Sequence, residues 1–297
     1  MIKVKDVCKS FGKFRALDNL NINVGEGSIY GLVGTNGAGK TTIIKNIVGI
    51  QKPDSGEIFM DRLPVYECPK VKEKIGYVSD EMYFIPGYSL KDTAAYQAGI
   101  YTDWNEKRYR ELVSDFGLNE RQRLSSFSKG MQKQAAFILA MSIMPKWLIL
   151  DEPIDGLDPV VRLKAWKHII DDVADRGTTV LVSSHNLREM EGYCDHIGII
   201  ANGKMVIERD LEDLKSDVHK VQVAFVEDKS YVFEDLNILH KETRGSVDLM
   251  IIRDDGEKIR SVIGEMDPAV FDMLPLSLEE IFIYELGGNS DEIGKII

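Results

Sequence analysis

The chain is short of positive charge. It sets 37 Lys and Arg against 48 Asp and Glu, a formal net charge of −11. An acidic chain presents no electrostatic footprint for DNA or RNA and gives an anionic bilayer surface little to attract, so nucleic acid is excluded as the expected partner. Any link to a membrane is expected to run through another protein. Cysteine is scarce as well. Cys8, Cys68 and Cys194 are odd in number, far apart and in no metal-ligand spacing. They exclude a disulfide framework and read as reduced thiols of a cytosolic protein, with Cys8 and Cys194 expected as core packing. Long hydrophobic runs are missing too. The longest, residues 135–144, is about half of what spans a bilayer. The amino-terminal stretch MIKVKDVCKSFG holds no apolar run of signal-peptide length. The expectation is a chain that neither leaves the cell by a signal peptide nor inserts in the membrane itself.

What is present is ordinary globular composition, 44% hydrophobic and 29% charged over 297 residues, enough for a large domain and a small one. Strand-like segments recur at 2–7, 20–24, 28–34, 56–60, 74–79, 147–151, 178–184 and 197–201. Several are continuous apolar runs, the mark of strands covered on both faces. Helix-like stretches lie between them, among them 40–48, 106–116, 131–144 and 159–176. The last is bounded by Asp158 as N-cap, Pro159 at the first helical position and Gly177 just past the end. The alternation predicts an α/β domain on a mostly parallel sheet. Beyond about residue 210 the pattern changes. Segments 220–227, 230–233 and 247–252 read as antiparallel strands and 276–286 as a helix. These predict a small α+β appendage over 216–297, after the α/β domain over 1–215.

GTNGAGKTT, residues 34–42, fits G-x-x-x-x-G-K-[ST] between a strand and a helix, the context that validates a phosphate-binding loop. Backbone N–H groups of Gly34, Asn36, Gly37, Ala38 and Gly39, together with Thr42, are expected to surround the phosphates at the positive end of a helix. Lys40 reaches the β- and γ-phosphates of ATP, and Thr41 offers a hydroxyl to Mg2+. A glycine turn that merely caps a helix is the plainer reading. WLILDEP, 147–153, is a buried strand ending in two carboxylates, on the side of a parallel sheet where ligands bind. Asp151 is placed to hold Mg2+ and Glu152 to polarise the attacking water; the plainer reading is a strand running into a turn.

With these motifs in hand, residues 1–210 resemble the ATP-binding subunits of ABC transporters. FSKGMQ (127–132) is similar to a divergent form of the family's LSGGQ signature. IDGLDP (154–159) resembles its D-loop, and the His in VSSHNLREME (182–191) its switch histidine. The SKGMQ form, the DEPIDGLDP run and the SLEEIF ending resemble the exporter-type subgroup, ABC type 2, and within it the YtrB-like ATPases. The resemblance implies a P-loop NTPase fold with an antiparallel β subdomain and a helical subdomain at about 88–145. It implies an ATPase that powers a separate integral membrane permease from the inner face of the cell membrane. It implies a second ATPase subunit, identical or different, packed head to tail so that Ser128, Gly130 and Asp158 of one copy complete the nucleotide site of the other. Phe11 matches the family's adenine-stacking aromatic, with Phe14 as the alternative. His185 is expected to sense the γ-phosphate. Lys129 stands where the family more often has Gly, as a phosphate contact or a solvated side chain.

One departure stands out. The family's usual Gln at the end of the strand 74–79 is Asp80 here. Asp80 can approach Mg2+ but repels phosphate, since a carboxylate only accepts hydrogen bonds. The aromatic-rich stretch 81–101 reads either as a groove for the permease or as ordinary core. Two rival functions remain at this level: a soluble ABC-type regulatory ATPase, and a small-molecule kinase that leaves 127–132 and 182–185 as coincidences.

Overall fold

A computed structural model of the chain describes residues 1–153, 156–226, 233 and 235–285. The chain divides into two compact units, Met1–Glu208 and Arg209–Ile297. The division falls ahead of residue 215 because the helix Leu211–Asp217 buries Leu211 and Leu214 and packs against the helix Leu278–Glu285, within the second unit.

The strands of the first unit are β1 (Ile2–Phe11), β2 (Phe14–Val24), β3 (Ile29–Val33), β4 (Ser55–Met60), β5 (Leu63–Pro64), β6 (Ile75–Val78), β7 (Trp147–Asp151), β8 (Thr179–Ser184), β9 (His196–Ala201) and β10 (Lys204–Asp210). They form two sheets, β2-β1-β4-β5 and β10-β9-β3-β8-β7-β6. In the second, every pairing from β9 through β3, β8 and β7 to β6 is parallel. β3, β7 and β8 are buried along their whole lengths, as strands covered on both faces must be.

Segments 2–7, 20–24 and 56–60 build a separate antiparallel sheet, the antiparallel β subdomain that the resemblance implies. The reason is visible in β2, where Leu20, Ile22 and Val24 are buried and Asn21 and Asn23 exposed. Such a strand covers a core on one face only. That face meets the helix α1 (Lys40–Ile47): Ile43, Ile44 and Ile47 join Ile2, Leu20, Ile22, Met60 and Ile149 in one cluster. Truncating a side chain as enclosed as Ile44 is expected to cost about 2–5 kcal/mol.

The remaining helices of this unit are α2 (Pro69–Lys72), α3 (Leu90–Ala98), α4 (Glu106–Phe116), α5 (Lys129–Ser142), α6 (Pro159–Arg176) and α7 (Leu187–Glu191). α3 falls within the helical subdomain expected at about 88–145, and Ser89 and Asp92 form a full capping box at its start. α6 is bounded as its sequence predicts. Asp158 Oδ1 accepts hydrogen bonds from the Val160 and Val161 N–H groups, and Gly177 closes the helix at φ 65°.

Of the thiols, Cys194 is core material, and burial pushes its pKa up. Cys8 is not. Its Sγ accepts from the Arg15 guanidinium at 3.2 Å and the Asn19 N–H at 3.3 Å. Hydrogen bonds from Ser55, Asn19 and Arg15 hold the thiol below its ordinary value. Its neighbours in the folded sheet, Arg15, Asn19 and Ser55, are polar.

The second unit contains α8 (Leu211–Asp217), β11 (His219–Ala224), β12 (Ile238–Arg244), β13 (Val247–Ile252), α9 (Gly256–Gly264), β14 (Val270–Leu274) and α10 (Leu278–Glu285). Its antiparallel sheet runs β12-β13-β11-β14. Val221, Val223, Met250 and Ile252 pack on Ile259 and Ile263 of α9. The expected strand at 230–233 lies outside the described residues except for Phe233, which is buried in this core.

Candidate functional site

The register of three strands assembles the site. Val33 is paired with Ser184 and Ser183 with Asp151, so β3, β8 and β7 end level with one another. The residues that follow, Gly34, His185 and Glu152, therefore emerge side by side at the carboxyl edge of the sheet, where open α/β sheets bind ligands. On the far side of β7, Val78 is paired with Leu150, which brings Asp80 level with Glu152.

The glycine-rich loop then wraps from β3 to α1. Gly39 sits at φ 114°, and a Cβ there would lie 2.9 Å from the Ala16 carbonyl oxygen. At Gly34 a Cβ would meet the Ile200 carbonyl oxygen at 2.4 Å. Only glycine fits either position. Asn36 and Gly37 stand exposed at the apex, Ala38 is buried beneath it, and Thr41 and Thr42 open α1. Lys40 is 5% exposed, and its ammonium donates to the Gly34 carbonyl at 2.6 Å and the Thr35 carbonyl at 3.2 Å.

That same ammonium lies 3.1 Å from Glu152 Oε1, and His185 Nδ1 lies 2.9 Å from Glu152 Oε2. His185 is half exposed, so the carboxylate lies between a buried cation and a ring open to solvent. A cavity of about 120 Å³ beside them is lined by Glu152, Ser183, Ser184, His185, Asn186 and Glu189 among others. Glu152 adopts φ 49°, a left-handed conformation that costs a non-glycine residue about 1–3 kcal/mol. Strain of this kind gathers at functional sites because the surroundings must hold it in place.

Asp151 is fully buried. Ser183 Oγ donates to its Oδ1 at 2.7 Å and also accepts the Glu152 N–H at 3.1 Å. Burial raises the Asp151 pKa; hydrogen bonds from Ser183 and Thr41 oppose the rise, and the charges of Glu152 and Asp80 add to it. Oδ2 has no partner of good hydrogen-bond geometry. A buried carboxylate oxygen without a donor, next to a hydroxyl that opens a helix, fits a hard divalent cation such as Mg2+. Asp80, the third candidate ligand, is half exposed and lies 3.3 Å from the Lys133 ammonium. Lys133, on α5, also donates to the Glu152 carbonyl at 2.7 Å. Neither Lys133 nor Ser183 was singled out from sequence. Their signal is purely spatial, since each acts on Glu152 from a different element.

Other expected site residues lie apart from this cluster. Phe11 and Phe14 are 48% and 63% exposed and are cross-strand partners flanking the β1–β2 turn, with Lys9 over the Phe11 ring. Ser128 caps α5, its Oγ accepting the Met131 N–H at 3.3 Å. Lys129 is exposed, and a Cβ on Gly130 would stand 3.4 Å from the Gly156 carbonyl oxygen. Among the described residues, no hydrogen bond or ion pair joins Ser128, Gly130 or Asp158 to the loop 34–42. Of the D-loop stretch, residues 154 and 155 lie outside the description.

The aromatic-rich stretch 81–101 opens as a groove of about 380 Å³. Met82, Tyr83, Phe84, Tyr96, Ile100 and Leu139 are among its lining residues. Tyr83 is 87% exposed, so the stretch is not simply core. No helix among the described residues is long and apolar enough to cross a membrane.

The chain is similar to known proteins of one family. The family model described as ABC transporter matches residues 17–155. The ABC transporter ATP-binding protein YtrB of Bacillus subtilis (strain 168) is 32% identical over 289 residues, covering 97% of this chain and 99% of that one. The bacitracin transport ATP-binding protein BcrA of Bacillus licheniformis is 35% identical over 219 residues, covering 72% of this chain and 71% of that one. A solved structure described as the ATP binding subunit of an ABC transporter superposes with a TM-score of 0.67 at 27% identity, covering 72% of this chain and 92% of that one.

Proposed function

The chain belongs to the family of ABC transporter ATP-binding subunits, P-loop ATPases, and from that premise we propose how its residues divide the work. Two subunits, two copies of this chain or one copy and a relative, close head to tail on two molecules of MgATP. The closure drives a separate integral membrane permease, which holds the pair at the inner face of the cell membrane. The loop Gly34–Thr42 takes the phosphates of one ATP and Phe11 its adenine. Ser128, Gly130 and Asp158 of the other copy complete the pocket. The observation that carries this is the arrangement of α5. Its capped, exposed amino end has no partner in its own phosphate loop, yet it offers a hydroxyl and a positive helix terminus suited to a phosphate.

Mg2+ would be held by Thr41 and Asp151 and would neutralise charge on the phosphates. Glu152 accepts a hydrogen bond from the attacking water and takes its proton as the new P–O bond forms in line with the departing ADP oxygen. His185 fixes the Glu152 carboxylate through Oε2 and faces the position of the terminal phosphate. Lys40 leaves Glu152 for the phosphates when ATP arrives. The rate then comes from positioning and charge neutralisation. The apolar groove of 81–101 receives the permease.

The test is a cross-link between copies. Ser128→Cys protein mixed with Asn36→Cys protein is expected to form a disulfide-linked pair with MgATP and little without it. A pair formed equally well without nucleotide, or only between like variants, overturns the composite site.

A further inference from the structure

We propose that Lys133 is a positioning residue for Glu152, anchored by Asp80: its ammonium donates to the Glu152 carbonyl and thereby holds the water-orienting carboxylate in its strained backbone conformation. The inference rests on the reading of Glu152 given above.

Glu152 needs such support for two reasons. Its φ of 49° is left-handed, and the next residue is Pro153, whose ring disfavours helical backbone in the residue before it. Two main-chain bonds secure it. Its N–H donates to Ser183 Oγ at 3.1 Å, and its carbonyl accepts from Lys133 Nζ at 2.7 Å. The first comes from β8. The second comes from α5, the helix that Ser128 caps.

The Lys133 side chain is 11% exposed. An ammonium so enclosed needs a counter-charge, and Asp80 Oδ1 supplies it at 3.3 Å. A neutral amide at position 80 could orient Lys133 but would not balance its charge. The carboxylate in place of the family's usual Gln is thereby accounted for: its charge is matched by Lys133 rather than left facing the phosphates. The acid at 80 and the cation at 133 act as one unit. The β6–β7 register makes the unit possible by setting Asp80 level with Glu152.

The experiment measures ATP hydrolysis and equilibrium binding of a fluorescent ATP analogue by the full-length protein and its variants. Thermal unfolding serves as the folding check. Lys133→Met is expected to lower kcat about tenfold while KM and analogue affinity move less than about twofold, the signature of a misplaced reacting group. Lys133→Arg, which keeps a donor, is expected to recover most of the loss. Asp80→Asn changes a half-exposed side chain and so should fold; it is expected to lower kcat several-fold. Parent kcat in Lys133→Met, an equal loss of affinity, an Arg variant as slow as the Met variant, or parent kcat in Asp80→Asn overturns the proposal. Glu152→Gln in the same assay separates the two readings. If it turns over like the parent, the role of Glu152 fails and this inference with it. If it is inactive while Lys133→Met matches the parent, only the positioning role fails.

Discussion

The Lys40 ammonium and the Glu152 carboxylate are 3.1 Å apart, so each is the other's counter-ion before ATP arrives. The Lys40 side chain is also desolvated, at 5% exposure. If Lys40 takes the phosphates as proposed, incoming ATP competes with Glu152 for it and leaves the carboxylate to His185 and water.

Glu152→Gln removes the competitor along with the base. ATP affinity is expected to rise, and kcat to fall by about a hundredfold or more. Stopped turnover with a tightened, ATP-dependent dimer is the expected result, read by phosphate release and by size-exclusion chromatography. Weakened ATP binding in this variant would contradict the competition.

Asp151 carries a raised pKa, caused first by burial. In the unfolded chain the carboxyl ionises near 3.8, so at neutral pH the native state holds a charge it disfavours. Its penalty is full above the raised value and fades as pH falls toward 3.8. Asp151→Asn keeps an acceptor for Ser183 and drops the charge. The nucleotide-free variant is therefore expected to melt at a higher temperature than the parent at pH 7. The advantage should shrink toward pH 4, and the extra stabilisation that Mg2+ gives in the presence of ATP should vanish. Thermal melts across pH, with and without Mg2+ and ATP, check all three.

Phe11 and Phe14 face each other across the hairpin end, and both are open to solvent. If Phe11 stacks on adenine, Phe11→Ala weakens ATP binding about tenfold, within the range of one base–aromatic stack. Phe14→Ala changes it less. Inorganic tripolyphosphate, which has no base, should bind both variants like the parent. Calorimetric titration distinguishes the two rings.

Ile100 lines the groove and is 56% exposed, so a charge there disturbs the fold little. Ile100→Glu is expected to lose a co-expressed permease in affinity purification while melting within a few degrees of the parent. Undiminished recovery of the permease would move the docking surface elsewhere.

The sequence alone determined the phosphate loop, the acidic strand end and the bounds of α6. Each is written in consecutive residues whose local chemistry, glycine at positive φ, a carboxylate after an apolar run, an Asp cap before Pro, has one physical solution. It also set the change of character near residue 210, where short alternating strands replace buried runs. Tertiary structure decided which strands share a sheet. Segments 2–7 and 147–151 are both strands, and pairing sets the first in the antiparallel sheet and the second in the parallel one. It decided that Cys8 faces Arg15 rather than a core. It decided as well that Asp80, Lys133, Ser183 and Glu152 converge. Those four lie just past β6, on α5, on β8 and just past β7, far apart in the chain, and no local pattern records a meeting that strand register and the packing of α5 bring about.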